Sequence, residues 1–218
     1  MKYVLIILGL LSILLSACQT GPLPEEQIYV HLEQAVKLEA EFENQQDPIV
    51  ELEQKEKELY DQIIELGLKE LDQIKKLSTD ALSLVADRKS RLEKEYESIK
   101  QSKIEFDKTA EIVEQIDAEQ PKLLANEVVG LMNERFLAYE ELYKAYSSSI
   151  TLDEELYKMF QREDLKLEEL ESQIEKINKS YEQVITLNET FNKLTTEYNN
   201  QKRTFYEAAG IAVTYGKE

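Results

Sequence analysis

A heptad seam that begins at Phe160 and runs to Phe205 sets the tightest limit on what this chain can fold into. Leu167, Leu170, Ile174, Ile177, Tyr181, Val184, Phe191 and Tyr198 carry it at steps of three, four and seven, with Glu163, Asn188, Thr195 and Lys202 as polar members. A helix returns to one face at that spacing, so the stripe can be buried only against other helices. Glycine and proline supply just 6 and 4 of 218 residues, while charged residues make up 32%. Such a composition favours long helices. The expected fold is all-α: an elongated, antiparallel three- or four-helix bundle with coiled-coil packing, closed within one chain or completed by a second copy.

Helix boundaries follow from breakers and caps. Pro24 suits a first helical turn and Glu25 and Glu26 suit its positive end; Ile28, Leu32, Ala35, Val36 and Phe42 continue that helix to about Asn44. Gln45-Gln46-Asp47-Pro48 reads as a turn, with Asp47 the N-cap and Pro48 the first residue of the next helix. From Pro48 to about Asp117 a seam passes through Tyr60, Ile64, Leu71, Ile74, Ala81 and Val85, with Gly67 and Ser78 at seam positions. It resumes through Leu92, Tyr96, Ile99, Lys103, Phe106, Ala110 and Val113. Joining the two phases requires a four-residue stutter between Val85 and Leu92. Unbroken, this rod is about 105 Å long at 1.5 Å per residue; a break at Ser78-Thr79-Asp80 is the alternative. Pro121 opens a third helix to about Ser147 that buries Leu124, Val128, Leu131, Met132, Tyr139, Leu142 and Tyr146. Ser147-Ser148-Ser149 weakens it, and Thr151-Leu152-Asp153-Glu154 reads as the capping box of the fourth.

The N-terminus is different in kind. Lys2 precedes an apolar run from Tyr3 to Leu15, broken only by Gly9 and Ser12, and Leu15-Ser16-Ala17-Cys18 follows with the single cysteine of the chain. The run is well short of the roughly 20 residues that span a bilayer and has the form of an export signal. Its apolar–small–small–cysteine ending resembles the lipobox of bacterial lipoproteins. That resemblance implies cleavage between Ala17 and Cys18 and a diacylglycerol on the Cys18 sulfur. The organisation is then a signal peptide over 1–17, a lipidated tether over 18–23, a helical domain over 24–210 and a tail over 211–218. Two acyl chains anchor stably, at about 0.8 kcal/mol per buried CH₂, which places the domain on the extracytoplasmic face of the cell membrane.

Without Lys2, the mature chain carries 25 basic and 44 acidic side chains, a net charge of −19. Anionic lipid and nucleic acid both repel such a body, so no nucleic-acid partner is expected. Cys18 leaves no thiol for a disulfide, and His31 is the only histidine. Neither an HExxH pair, nor a phosphate loop, nor a dinucleotide fingerprint occurs. Cys/His clusters and calcium loops are also missing. No catalytic residue, cofactor or metal ligand is therefore assigned, and the ligand-binding residues stay undefined. His31, beside Leu32, reads as structural or solvated; the pairs Glu25-Glu26 and Glu168-Glu169 read as solvated helix faces. Phe136, Tyr139, Tyr143 and Tyr146 lie on consecutive turns, where they form either core or, if exposed, a platform for sugar rings.

The segments Gly21-Pro22-Leu23-Pro24-Glu25-Glu26-Gln27-Ile28-Tyr29, Gln45-Gln46-Asp47-Pro48 and Glu58-Leu59-Tyr60-Asp61 resemble the YkyA-type lipoproteins of Bacillus and its relatives, described as binding the cell wall. The resemblance implies a Gram-positive envelope, a place between membrane and wall, and Cys18 as the functional position; it supplies no catalytic or ligand residue. The expected function is non-catalytic binding or scaffolding at the membrane, with peptidoglycan or a wall-active protein as partner. An envelope enzyme acting on peptidoglycan through carboxylates is the alternative. A carrier lipoprotein serving a transporter is disfavoured because no strand pattern occurs. Teichoic polyanions repel a body of this charge within roughly 8 Å. Direct wall contact therefore needs ammonium groups, bridging cations, or a neutral glycan or peptide surface.

Overall fold

The structure, a computed structural model, describes residues 21–67 and 70–213. The leader, Ala17, Cys18 and residues 214–218 lie outside the described residues. Within them the chain forms α1 (Pro24–Leu38), α2 (Ala40–Leu66), α3 (Leu71–Phe106), the short α4 (Thr109–Val113), α5 (Glu119–Phe160) and α6 (Leu167–Ala208), and no strand. The fold is the expected all-α bundle. α2 packs on α3, α3 on α5 and α5 on α6, while α1 continues the line of α2 along the C-terminal half of α3. Neighbours run in opposite directions, as short connections dictate. Among the described residues, no helix is long and apolar enough to cross a membrane.

Several breaks fall elsewhere than the sequence suggests. Gln45 to Pro48 are helical, because Gln45, Ile49, Leu52, Glu56 and Ile63 keep one continuous buried face on α2. Burying that face outweighs the backbone bond that Pro48 forfeits. The interruption lies instead at Glu39 and is made from outside. Ser98 Oγ, on α3, accepts from the Phe42 N–H at 3.1 Å and donates to the Leu38 carbonyl at 2.6 Å. A hydroxyl thus stands between the two groups that an unbroken helix would join.

The long second stretch is likewise divided, into the rest of α2, α3 and the short α4. α2 ends at Gly67, whose φ of 60° and ψ of −168° suit glycine alone. Helix α3 then passes unbroken through Ser78-Thr79-Asp80, with the Thr79 hydroxyl donating to the Lys75 carbonyl at 2.8 Å. No stutter is needed either. Ile74, Ser78, Ala81, Val85, Arg88, Leu92, Glu95, Ile99, Ser102 and Phe106 alternate by four and three, and all are buried. Polar residues occupy seam positions that an apolar reading skips.

Helix α5 continues through the serine triplet and through Thr151 to Glu154. Ser148 and Thr151 donate to the carbonyls four residues back at 2.9 Å. Ile150, Asp153, Leu156, Tyr157 and Phe160 extend the buried face. Phe160 therefore closes α5, and the polar link 161–166 turns the chain into α6.

Two apolar clusters fill the bundle. One lies at the end where α1 begins and gathers Phe106, Met132, Phe136, Tyr139, Phe191, Tyr198, Phe205 and Tyr206. The other, at the opposite end, gathers Ile63, Ile74, Val85, Leu92, Ile150, Tyr157, Phe160 and Leu170.

Candidate functional site

Between the clusters the bundle opens. In the middle of α6, Ile174, Ile177, Tyr181 and Val184 are only half-buried although they keep heptad spacing. They form one wall of a groove of about 720 Å³ whose opposite wall is α2. That volume is typical of small-molecule sites. α3 contributes Arg88, Leu92 and Glu95 to the floor, and α5 contributes Tyr139, Tyr146, Asp153 and Tyr157. Phe42 and Phe191, with ring centroids 5.9 Å apart, close the groove at one end.

Charge is unevenly matched on this floor. Arg88, only 2% exposed, pairs with Asp153 and donates to Tyr181 Oη at 2.9 Å. Its guanidinium also lies 3.4 Å from Glu56 Oε2 and 3.7 Å from Glu53 Oε1. Tyr181 donates to Asp153 at 2.6 Å, Tyr146 donates to Glu53, and Tyr157 donates to the Glu56 carbonyl at 3.3 Å. One cation thus faces three carboxylates. Arg88 Nε, Glu56 Oε2 and Tyr139 Oη, all buried, make no hydrogen bond. Burial, opposed by Arg88, pushes the Glu56 carboxyl up to about 7. Farther along α3, Glu95 is 3% exposed and its carboxylate is held by the Gln46 amide. Burial pushes it up to about 8. Burial also keeps the Tyr139, Tyr146, Tyr157 and Tyr181 phenols well above their ordinary range, so all four retain their protons at neutral pH.

The residues singled out from sequence lie mostly elsewhere. His31 Nδ1 meets Glu105 Oε1 at 2.7 Å on the flank of the bundle, a structural role. Glu26 accepts from the Leu23 N–H at 3.1 Å and caps α1, and Glu169 pairs with Arg162 at 2.9 Å. Of the aromatic row, Phe136 and Tyr139 are buried. Phe42 and Phe191 pack on Tyr139, and Tyr143 stacks on Tyr96 with centroids 4.1 Å apart. Phe136 is thereby core, whereas Tyr139, Tyr143 and Tyr146 also line the groove, so the row divides between core and groove wall. Sequence reading missed Glu56, Arg88, Glu95 and Asp153. The usable signal was the unbroken four-three spacing of α3, which puts Arg88 and Glu95 at seam positions where a solvated charge has no place.

An all-α bundle carrying an acid-floored groove is the class of protein these observations define. The chain belongs to the YkyA family, whose model matches residues 23–208 and is described as "Putative cell-wall binding lipoprotein". It is 32% identical over 203 residues to the "Uncharacterized lipoprotein YkyA" of Bacillus subtilis (strain 168), covering 93% of this chain and 91% of that one. A 1.6 Å crystal structure of a conserved protein of unknown function from Staphylococcus aureus has the same fold. Its TM-score is 0.74 at 18% identity, over 84% of this chain and 93% of that one.

Proposed function

We propose that this protein is a lipid-anchored lipoprotein of the bacterial envelope, held by a diacylglycerol on Cys18 at the extracytoplasmic face, whose bundle makes non-catalytic contact with the cell wall. Family membership and the Leu15-Ser16-Ala17-Cys18 sequence support the anchor and the location. The observation that carries the binding role is the groove. Its floor ties carboxylates to Arg88 and tyrosine hydroxyls, an arrangement suited to holding a ligand rather than to relaying protons. The groove, not a flat helix face, is where a wall component is expected to sit.

A second reading has one observation behind it. Glu56, raised to about 7, shares Arg88 with Asp153, and a pair of carboxyls of which one is a raised acid is what glycoside hydrolysis uses. Incubating the purified protein with isolated walls separates the two. Binding predicts co-sedimentation without release of soluble fragments. Fragment release abolished by Glu56→Gln would replace the binding role by hydrolysis. Mass spectrometry of the mature N-terminus tests the anchor, and Cys18→Ser should leave the protein unlipidated.

A further inference from the structure

The groove's floor and lips specify a ligand more narrowly than wall contact does. Its lining includes Glu53, Glu56, Glu95 and Asp153, against Arg88 inside and Lys57 at the rim. Lys57 is engaged by Asp61 at 2.7 Å and faces solvent. The lining thus holds one enclosed guanidinium for four carboxylates, three of which it reaches. Burying a carboxylate without its full set of partners is costly, and here two are so placed: Glu56, whose Oε2 makes no hydrogen bond and meets only the shared Arg88 at 3.4 Å, and Glu95, which is held by an amide and no cation. The lips are the reverse. Val50 on α2 and Ile185 on α6 are each about 60% exposed, so apolar surface flanks the acidic floor. A hydrated metal ion gains nothing from apolar lips, whereas an organic cation uses lips and floor together, which points to the organic one.

We propose that the groove between α2 and α6 binds a primary ammonium group carried on an apolar stem. The ammonium meets Glu56 or Glu95, and the stem lies between Val50 and Ile185. An ammonium brings three donors, and Glu56 Oε2, buried in the groove's lining, has no hydrogen bond of its own to lose. The positive charge supplies the counter-ion that Glu95 lacks and that Glu56 has only as a share of Arg88, and burial pushes both carboxyls toward neutrality. The acidic body as a whole draws cations toward it. That the ammonium belongs to a wall peptide rests on the function proposed above; the site itself does not.

The test uses the purified full protein in non-ionic detergent, with calorimetric titration of four probes. n-Hexylamine and its neutral counterpart hexanol report on the ammonium. Muropeptides with free amino groups, and the same muropeptides N-acetylated, report on the wall as its source. Hexylamine should bind at least about tenfold more tightly than hexanol, as a charge-assisted hydrogen bond implies. The paired change Glu56→Gln and Glu95→Gln should erase that difference, with melting followed to confirm the fold. Equal binding of hexylamine and hexanol, no binding of either, or a preference untouched by the paired change would overturn the inference. Should that variant fail to fold, the hexylamine–hexanol comparison on the unaltered protein still decides. If hexylamine is preferred while neither muropeptide binds, the ammonium site stands and its assignment to the wall falls. Walls that co-sediment with a protein indifferent to amines would instead uphold wall contact and overturn the ammonium site.

Discussion

Two arginines are buried in this bundle, and they are used differently. Arg135, on α5, forks onto both oxygens of Glu39 at 2.9 and 2.7 Å, donates to Thr195 Oγ1 at 2.9 Å and lies 4.7 Å from the centre of the Phe191 ring. Ser102 adds a further donor to Glu39 at 2.9 Å. One cation meets one anion, and the polar contacts are complete. Arg88, about halfway up the bundle, meets three carboxylates, keeps an unbonded Nε and looks into a groove. The first arrangement closes the bundle by fastening the α1–α2 junction to α5. The second leaves charge unanswered where the bundle is open. Complete pairing marks a clamp, and incomplete pairing beside a cavity marks a site.

Removing each cation puts the largest strain on that contrast. Arg135→Ala leaves Glu39 charged and enclosed, which costs about 3–5 kcal/mol and should lower the melting temperature by roughly 10 °C or more. Arg88→Ala strands its carboxylates beside a groove that admits water, so the loss should be nearer about 2 kcal/mol. Thermal unfolding followed by helical circular dichroism measures both. Equal losses would mean that the groove is as closed as the clamp.

pH gives the next largest effect. Glu56 and Glu95 titrate near 7 and 8 in the fold, against 4.5 as the reference value. The folded state therefore holds more protons than the unfolded chain between those limits, and stability falls as pH rises through them. Glu56 alone contributes a loss of at most about 3 kcal/mol, present in full above pH 7 and absent below 4.5, at about 1.4 kcal/mol per unit. Glu56→Gln and Glu95→Gln should each flatten the decline and raise stability at pH 8, whereas Glu39→Gln should lower it. Denaturant titrations across pH 5 to 8 read the slopes. Slopes unchanged by either glutamine would show that both carboxylates find a counter-charge in solution.

The boundary between the closed and open regions rests on one hydroxyl. Ser98 bridges Leu38 and Phe42 at the α1–α2 junction, and Phe42 is also where the groove begins. Ser98→Ala should cost about 1–2 kcal/mol, because two enclosed backbone groups lose their partner. A neutral result in equilibrium denaturation would mean that α1 and α2 can fuse into one straight helix without the bridge.

The sequence made the helical class plain because heptad spacing needs no tertiary knowledge. It did not reveal where helices stop. Asp47-Pro48, the serine triplet and Thr151 to Glu154 are sound local signals, yet each lies within a face whose burial outweighs them. The break at Glu39 comes from Ser98, 59 positions away in the chain, so no local window contains its cause. The turn at 161–166 was hidden because Phe160 and Leu167 happen to keep phase across it. The groove was legible only in part. Arg88 and Glu95 stand in seam phase on α3, but Glu56 and Asp153 acquire meaning only when α2 and α5 bring them to the same guanidinium.

The smallest expected effect concerns the lips. Val50 and Ile185 are apolar residues left about 60% exposed on opposing helices, where a purely structural account expects polar side chains. Val50→Ser and Ile185→Ser should change stability by no more than about 0.5 kcal/mol, as surface substitutions do. They should nevertheless weaken binding of an apolar stem, because each removes part of the surface that such a stem would cover. Equilibrium denaturation and the hexylamine titration, run on the same variants, separate these consequences. A loss of stability beyond about 1 kcal/mol for both substitutions, twice what a solvated position gives, would place the two side chains in contact with each other in solution. The groove would then be a seam that closes, and the contrast between the two arginines would reduce to one of degree.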